Sequence, residues 1–293
     1  MFEYCEDVSA LTKHGFEWMS CYLTTKKHMN LYYSLGTVLG IMATAAPLAL
    51  LFGFTGMLAK RSGVLPLRFL GQGYTNMLRG IPDLVIFMFV PLAVDMGIEL
   101  LRHWILCPQA TTPIFQGVNF TPCRAAKFPS AVDGEWFHDA YGFGLAVFAY
   151  ALVFGAFAAN VLDGALRAVP AQQIETGKAY GLSARQVFSR IAVPQMWIYA
   201  LPGLNNLWVL LVKATPLLFL LGIEDLVYWA QELGKADFKR RAVYPHPNWH
   251  VYYFGALLVF YLLFTWVTQL GFARITKAVS RGMATVGHRE GNS

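Results

Sequence analysis

Residues 175–194 read Glu175-Thr-Gly-Lys-Ala-Tyr-Gly181-Leu-Ser-Ala-Arg-Gln-Val-Phe-Ser-Arg-Ile191-Ala-Val-Pro194. The stretch is too polar to enter lipid, yet Ile174, Ala179, Leu182, Val187, Phe188 and Ile191 recur at helical spacing on either side of a Gly-Leu-Ser break. It reads as two short amphipathic helices hinged at Gly181, with Ser183 capping the second and Pro194 breaking the chain before the next element. Such a hairpin suits docking to a partner protein. It suits equally a helix lying among lipid headgroups, and the periodicity leaves both readings open.

Long apolar runs flank this segment. Span three covers 141–162 and span four 197–221; further out lie spans at 31–58, 81–101 and 251–272, each near the ~20 residues that cross ~30 Å of hydrocarbon. Of the 293 residues 56% are hydrophobic and 14% charged, against about 25% charged in a soluble domain. That composition excludes an ordinary soluble enzyme and gives an all-α integral membrane fold. The expected organisation is an extracytoplasmic segment 1–30, a membrane domain 31–275 and a cytoplasmic tail 276–293. Within the domain, 102–140 and 222–250 are outer loops and 165–195 is the polar inner loop. The first run is longer than a signal-peptide core and reads as a retained span.

Five spans put the termini on opposite faces. Twelve Lys and Arg fall in 60–79, 167–190 and 274–293, ten fall on the other side, and Lys213 lies inside a span. The bias favours an outside N-terminus and a cytoplasmic tail. The formal charge of +6 comes without a basic run interleaved with stacking aromatics, which argues against nucleic acid. Cys5, Cys21, Cys107 and Cys123 show no CxxC spacing and in this orientation all face outward. A Cys107 to Cys123 bridge in an oxidising periplasm would close a proline-rich loop and contribute about 3 kcal/mol; buried free thiols are the alternative. His246 and His250 are four apart, but Pro245 and Pro247 rule out a continuous ligand-bearing helix, so the histidines read as a solvated loop surface and no metal site is expected.

The polar segment resembles the cytoplasmic-loop signature of permease subunits in ATP-binding cassette importers. Glu175, Thr176, Gly177, Gly181, Ile191, Val193 and Pro194 stand at the family's spacing, departing at Thr176 and Gly177, where Ala-Ala is usual, and at Val193, usually Leu. Gly177 should weaken the first short helix by about 1 kcal/mol relative to Ala. Two further stretches are similar to the polar amino-acid branch: Arg79-Gly-Ile-Pro82 at the entry to span two, and Lys213-Ala-Thr215-Pro-Leu217 in span four.

The resemblance implies a pathway built from two permease subunits, the same or related, two ATPase subunits and an extracytoplasmic substrate-binding protein, in a bacterial inner membrane. The chain has no Walker A loop, because Gln172 stands where Gly would be needed before Gly177-Lys178. ATP and Mg therefore belong to a partner, and no cofactor or catalytic residue is expected here. The segment 175–194 would couple the ATPase to the spans, with Glu175 supplying charge, Gly181 the turn and Pro194 the break.

Ionisable groups inside spans are functional candidates by default. Counted at ~1.5 Å per residue from the starts of spans two and four, Asp95 and Lys213 both fall at roughly 20–25 Å, which places them to pair, either facing the pathway or fixing helix packing. Arg79, Pro82 and Thr215 complete the pathway or packing candidates. Asn205 and Asn206 suit a polar path or a hydrogen bond between helices. A permease for another small solute would share the loop signature, and a membrane assembly protein would keep the hairpin without needing buried charges.

Overall fold

The structure, a computed structural model, describes residues 15–109, 113–117, 119–130, 134–238 and 244–280. It is helical: α1 (Phe16–Leu23), α2 (Lys26–Lys60), α3 (Leu65–Gly80), α4 (Asp83–Leu106), α5 (Glu135–Arg167), α6 (Ala171–Ala179), α7 (Ala184–Val187), α8 (Val193–Ala214), α9 (Leu226–Gly234) and α10 (His250–Val279). A two-residue β-ladder, β1 (Phe115–Gln116) with β2 (Asn119–Phe120), decorates the loop after α4.

Among the described residues, four helices are long and apolar enough to cross a membrane: α2, the Leu84–Leu106 part of α4, α5 and α10. The expected fourth span is divided. α8 has 22 residues but carries Asn205, Asn206 and Lys213 and is too polar to join that set; past Ala214 the chain tightens into a 3₁₀ turn over Thr215–Leu221. Lipid is still the natural solvent. α10 buries no residue fully and leaves Leu258, Leu262 and Trp266 more than half exposed, a liability in water but ordinary contact with acyl chains.

α2 and α5 form the centre. In lipid there is no hydrophobic force between helices, so close approach through small residues holds them. A Cβ on Gly53 would stand 2.6 Å from Ala158 Cβ, and one on Gly155 would stand 2.7 Å from Phe52 Cβ. Around this seam Ile41 and Ala45 of α2, Tyr150 and Val153 of α5, Phe87 of α4 and Val212 of α8 form the main core.

α3 is absent from the sequence expectation, which treats 59–80 as a connection. It doubles back along α2: Gly71 lies so close to the backbone of Ala59 and Lys60 that a Cβ would meet Lys60 N at 2.6 Å, and Tyr74 Oη donates to Leu152 O at 2.7 Å, midway along α5. The second crossing is thus two helices, α3 and α4, joined at Ile81-Pro82. Its apolar content is spread over one face of an amphipathic helix, which a search for continuous apolar runs passes over.

The two ends of the bundle differ. At one end lies the 171–192 hairpin. At the other, Cys107 and Cys123 form a disulfide with a Cα–Cα distance of 6.7 Å, Cys21 is disulfide-bonded, and Cys5 lies outside the described residues. Here the expectation of solvated histidines is corrected. His28, His103 and His246 are buried, His246 stacking on Trp249 at 4.4 Å. His28 bonds Thr25 Oγ1 at 2.8 Å and Tyr253 Oη at 2.7 Å. Aromatic rings from α1 and the 244–249 segment close over His28 and His246, a long-range association invisible in local spacing, while His103 Nδ1 accepts from Cys123 N at 2.9 Å.

Candidate functional site

The hairpin begins four residues after α5 ends. Ala171–Ala179 forms α6, Gly181 makes the turn at φ +81°, and Ser183 opens α7. The cap is a reciprocal box: Ser183 Oγ accepts from Gln186 N at 3.4 Å and Ser183 N donates to Gln186 Oε1 at 2.9 Å. Left-handed φ is strained for any residue with a Cβ, so glycine belongs at 181.

Pro194 does not break the chain as the sequence suggests. The second limb runs from α7 through a π-helical turn, Phe188–Ala192, directly into α8, with Pro194 in the first turn of α8. A proline cannot bond back to the carbonyl four residues earlier, and the wider i→i+5 winding just ahead of it absorbs that mismatch. The hairpin is therefore one continuous rod with α8 instead of a separate unit before it.

Gly177 also has a role that helix propensity does not reveal. It is buried, and a Cβ there would meet Ile191 Cδ1 at 2.5 Å and Val187 Cγ2 at 3.3 Å. The two limbs close on each other at this point, Ile191 filling the space above Gly177. The glycine lets them approach and so firms the hairpin it was expected to loosen. Thr176 Oγ1 donates to Gln172 O at 2.8 Å, and Val193 packs on the buried cluster at the hairpin base. Glu175, Lys178, Arg185 and Arg190 are exposed, and Tyr180 at the tip is 83% exposed. The result is a protruding, mixed-charge surface with an apolar spine, suited to seating in a groove of a partner.

The pathway candidates are not brought together. Asp95 Oδ1 accepts from Tyr141 Oη at 2.8 Å, near the disulfide end of α5. Lys213 is exposed and has no ion-pair partner among the described residues. Its neighbour Ala214 receives the Tyr150 hydroxyl at 2.6 Å. Tyr141 and Tyr150 are nine residues apart on α5, about 13 Å of helix, so the proposed Asp95–Lys213 pair is corrected. The depth count from span two began at residue 81, whereas α3 has already climbed part of the way and lifts Asp95 toward the disulfide end. Thr215 is buried, its hydroxyl donating to Val212 O at 2.9 Å and lying 3.0 Å from Tyr261 Oη, which ties the 3₁₀ turn to α10. Pro82 caps α4, its carbonyl accepting from Val85 N and Ile86 N. Arg79 is the penultimate residue of α3, and its side chain lies outside the described part.

Asp225 escaped the sequence reading because 222–250 looked like a loop. It caps α9, Oδ1 accepting from Tyr228 N at 2.9 Å, while Oδ2 is buried without a partner among the described residues. The signal was there: Leu226, Trp229, Ala230 and Leu233, all buried, repeat at i, i+3, i+4 and i+7 behind an Asp N-cap. Gln195 Oε1, Asn205 Oδ1 and Trp208 Nε1 of α8 are likewise buried and unpaired.

Residues 36–285 match the family described as binding-protein-dependent transport system inner membrane component. The chain is 31% identical over 212 residues to the arginine ABC transporter permease protein ArtQ of Escherichia coli K12, covering 70% of this chain and 82% of that one. It is 29% identical over 232 residues to the histidine/lysine/arginine/ornithine transport system permease protein HisQ of Salmonella typhimurium, covering 79% and 85%. An amino acid ABC transporter crystallised with histidines shares the fold with a TM-score of 0.56 at 18% identity, covering 93% of this chain and all of that one. A helical bundle with a protruding hairpin at the signature residues, matched by a family model over most of its length, is what an importer's membrane subunit requires, and the chain belongs to the family of binding-protein-dependent transport system inner membrane components.

Proposed function

We propose that this chain forms half of the translocation pathway of an ATP-driven importer for polar amino acids, coupled to a separate ATPase through residues 175–194. The family supplies the coarser part: an inner-membrane permease subunit working with an ATPase and a substrate-binding protein. The relatives are named for arginine, for histidine, lysine, arginine and ornithine, and for octopine, which supports a polar amino acid as solute. The assembly proposed is two permease subunits, identical or related, two ATPase subunits holding ATP and Mg, and one extracytoplasmic binding protein. The hairpin end faces the cytoplasm with the tail, and α1 faces out.

The observation that carries the coupling role is the continuity of hairpin and span. An exposed tip at Tyr180-Gly181 is fixed by the Gly177–Ile191 contact and runs without interruption into α8. A push on the tip therefore reorients a helix that reaches deep into the bundle. Asn206 and Lys213 of α8 are exposed on the single subunit, which supports that helix's lining a wet path or facing the second subunit, since polar groups are not left unsatisfied in hydrocarbon. The test is reconstitution with the ATPase and binding protein and uptake of a labelled amino-acid panel. Glu175→Lys should lower ATP-dependent uptake several-fold with the protein still in the membrane. Normal uptake by this variant, or transport without an ATPase, would overturn the reading.

A further inference from the structure

The hairpin end has a core of its own. Met57 of α2, Leu162 and Leu166 of α5, and Ala192 and Met196 of the second limb form a buried cluster separate from the main core, with Ile174 and Phe188 of the hairpin packed on it. A single carboxylate stitches this unit across helices. Asp163, 7% exposed at its side chain, accepts from Arg61 Nη1 at 2.9 Å through Oδ1 and from Arg167 Nη2 at 2.8 Å through Oδ2, with Lys60 Nζ at 3.6 Å. Lys60 Nζ also donates to Asn160 Oδ1 at 2.9 Å.

These contacts divide into two kinds. Arg167 is on the same helix as Asp163, four residues on, and is largely exposed; it adds little beyond helix pairing. Lys60 and Arg61 stand at the end of α2, so their contacts bind α2 to the part of α5 from which the hairpin springs. α3 leans on this same end of α2 through Gly71. Removing the charge at Asp163 would leave cations facing a partly buried neutral group, and among the described residues only the Lys60–Asn160 hydrogen bond would then remain as a polar link between the end of α2 and α5.

We propose that Asp163 is a positioning residue for transport: it clamps the end of α2 to the root of the hairpin, so that hairpin movement is carried into α2 and α3 as well as α8. This rests on the reading that the hairpin receives the ATPase stroke. Without the clamp, the hairpin would still swing with α5 and α8, and the α2–α3 corner, held to α5 only by apolar packing, the Lys60–Asn160 bond and the Tyr74 hydroxyl, would follow it less closely.

The experiment is hydrogen–deuterium exchange on the permease–ATPase complex in nanodiscs, with and without a non-hydrolysable ATP analogue, following residues 171–192 and 65–80. In the wild-type chain both segments should respond. Asp163→Asn should keep the hairpin response and lose that of α3 by about fivefold or more, the scale of a coupling between separated sites, and Asp163→Glu should restore it. Arg61→Gln should behave like Asp163→Asn, and Arg167→Gln like the wild type, a distinction that general loss of charge or stability would not make. Equal effects of Arg61→Gln and Arg167→Gln, or an α3 response that survives Asp163→Asn, would overturn the clamp. Should Asp163→Asn fail to assemble, the two arginine variants decide alone. If the wild-type hairpin ignores the nucleotide, the coupling reading itself falls; if the hairpin responds and α3 does not, only the clamp falls.

Discussion

Gly181 and Gly177 serve the same hairpin for different reasons. At φ +81° a side chain at 181 would strain the backbone by about 1–2 kcal/mol, so Gly181→Leu should reopen the turn and lower ATP-dependent uptake while membrane levels hold, read by uptake per immunoblotted protein. Gly177 is constrained by its neighbour instead. Gly177→Val should clash with Ile191 and cost about 1–3 kcal/mol; trimming the neighbour in Gly177→Val/Ile191→Ala should recover part of the lost uptake and thermal stability. Recovery by the second substitution would separate overpacking from a direct contact with the ATPase. The signature residues are legible in the sequence as a spacing, but Gly177 looked there like a weakness. Only the approach of the second limb, set by the turn at 181, makes it a requirement.

At the scale of elements, α3 tests how the second crossing is built. Gly71 faces the backbone of α2, which cannot move aside, whereas Gly73 on the same helix has open space around it. Gly71→Val should separate α3 from α2 and lower the detergent-solubilised melting temperature strongly. Gly73→Ala should hold or raise it, since Ala exceeds Gly in helix propensity by about 1 kcal/mol. Equal shifts would mean that α3 does not pack as described. The long, uniformly apolar helices were readable from composition, because lipid imposes one length and one chemistry on them. α3 and the π-turn before Pro194 were not: α3 is held by α2 and α5, and the π-turn forms where the second limb fuses with α8. α9 did carry a capped helical repeat, but one too short to stand out as a span.

Across the whole molecule, the disulfide and the hairpin mark opposite ends, which makes orientation measurable. On intact spheroplasts, an impermeant thiol reagent should label Cys107 and Cys123 only after reduction, and replacing both with Ser should cost about 3 kcal/mol. Labelling reached only from the cytoplasmic side would reverse the topology. The sequence by itself determined the solvent, the helical class and the place of the hairpin, because hydropathy and a polar break of fixed spacing are local properties that survive any packing. Which charges meet was left to the tertiary structure. Asp95 met Tyr141 instead of Lys213, His28 and His246 were sealed among aromatic rings, and Asp163 collected cations from two helices. Each of those outcomes depends on which helices lie side by side and at what relative height, a relation between residues far apart in the chain that no periodicity along it encodes.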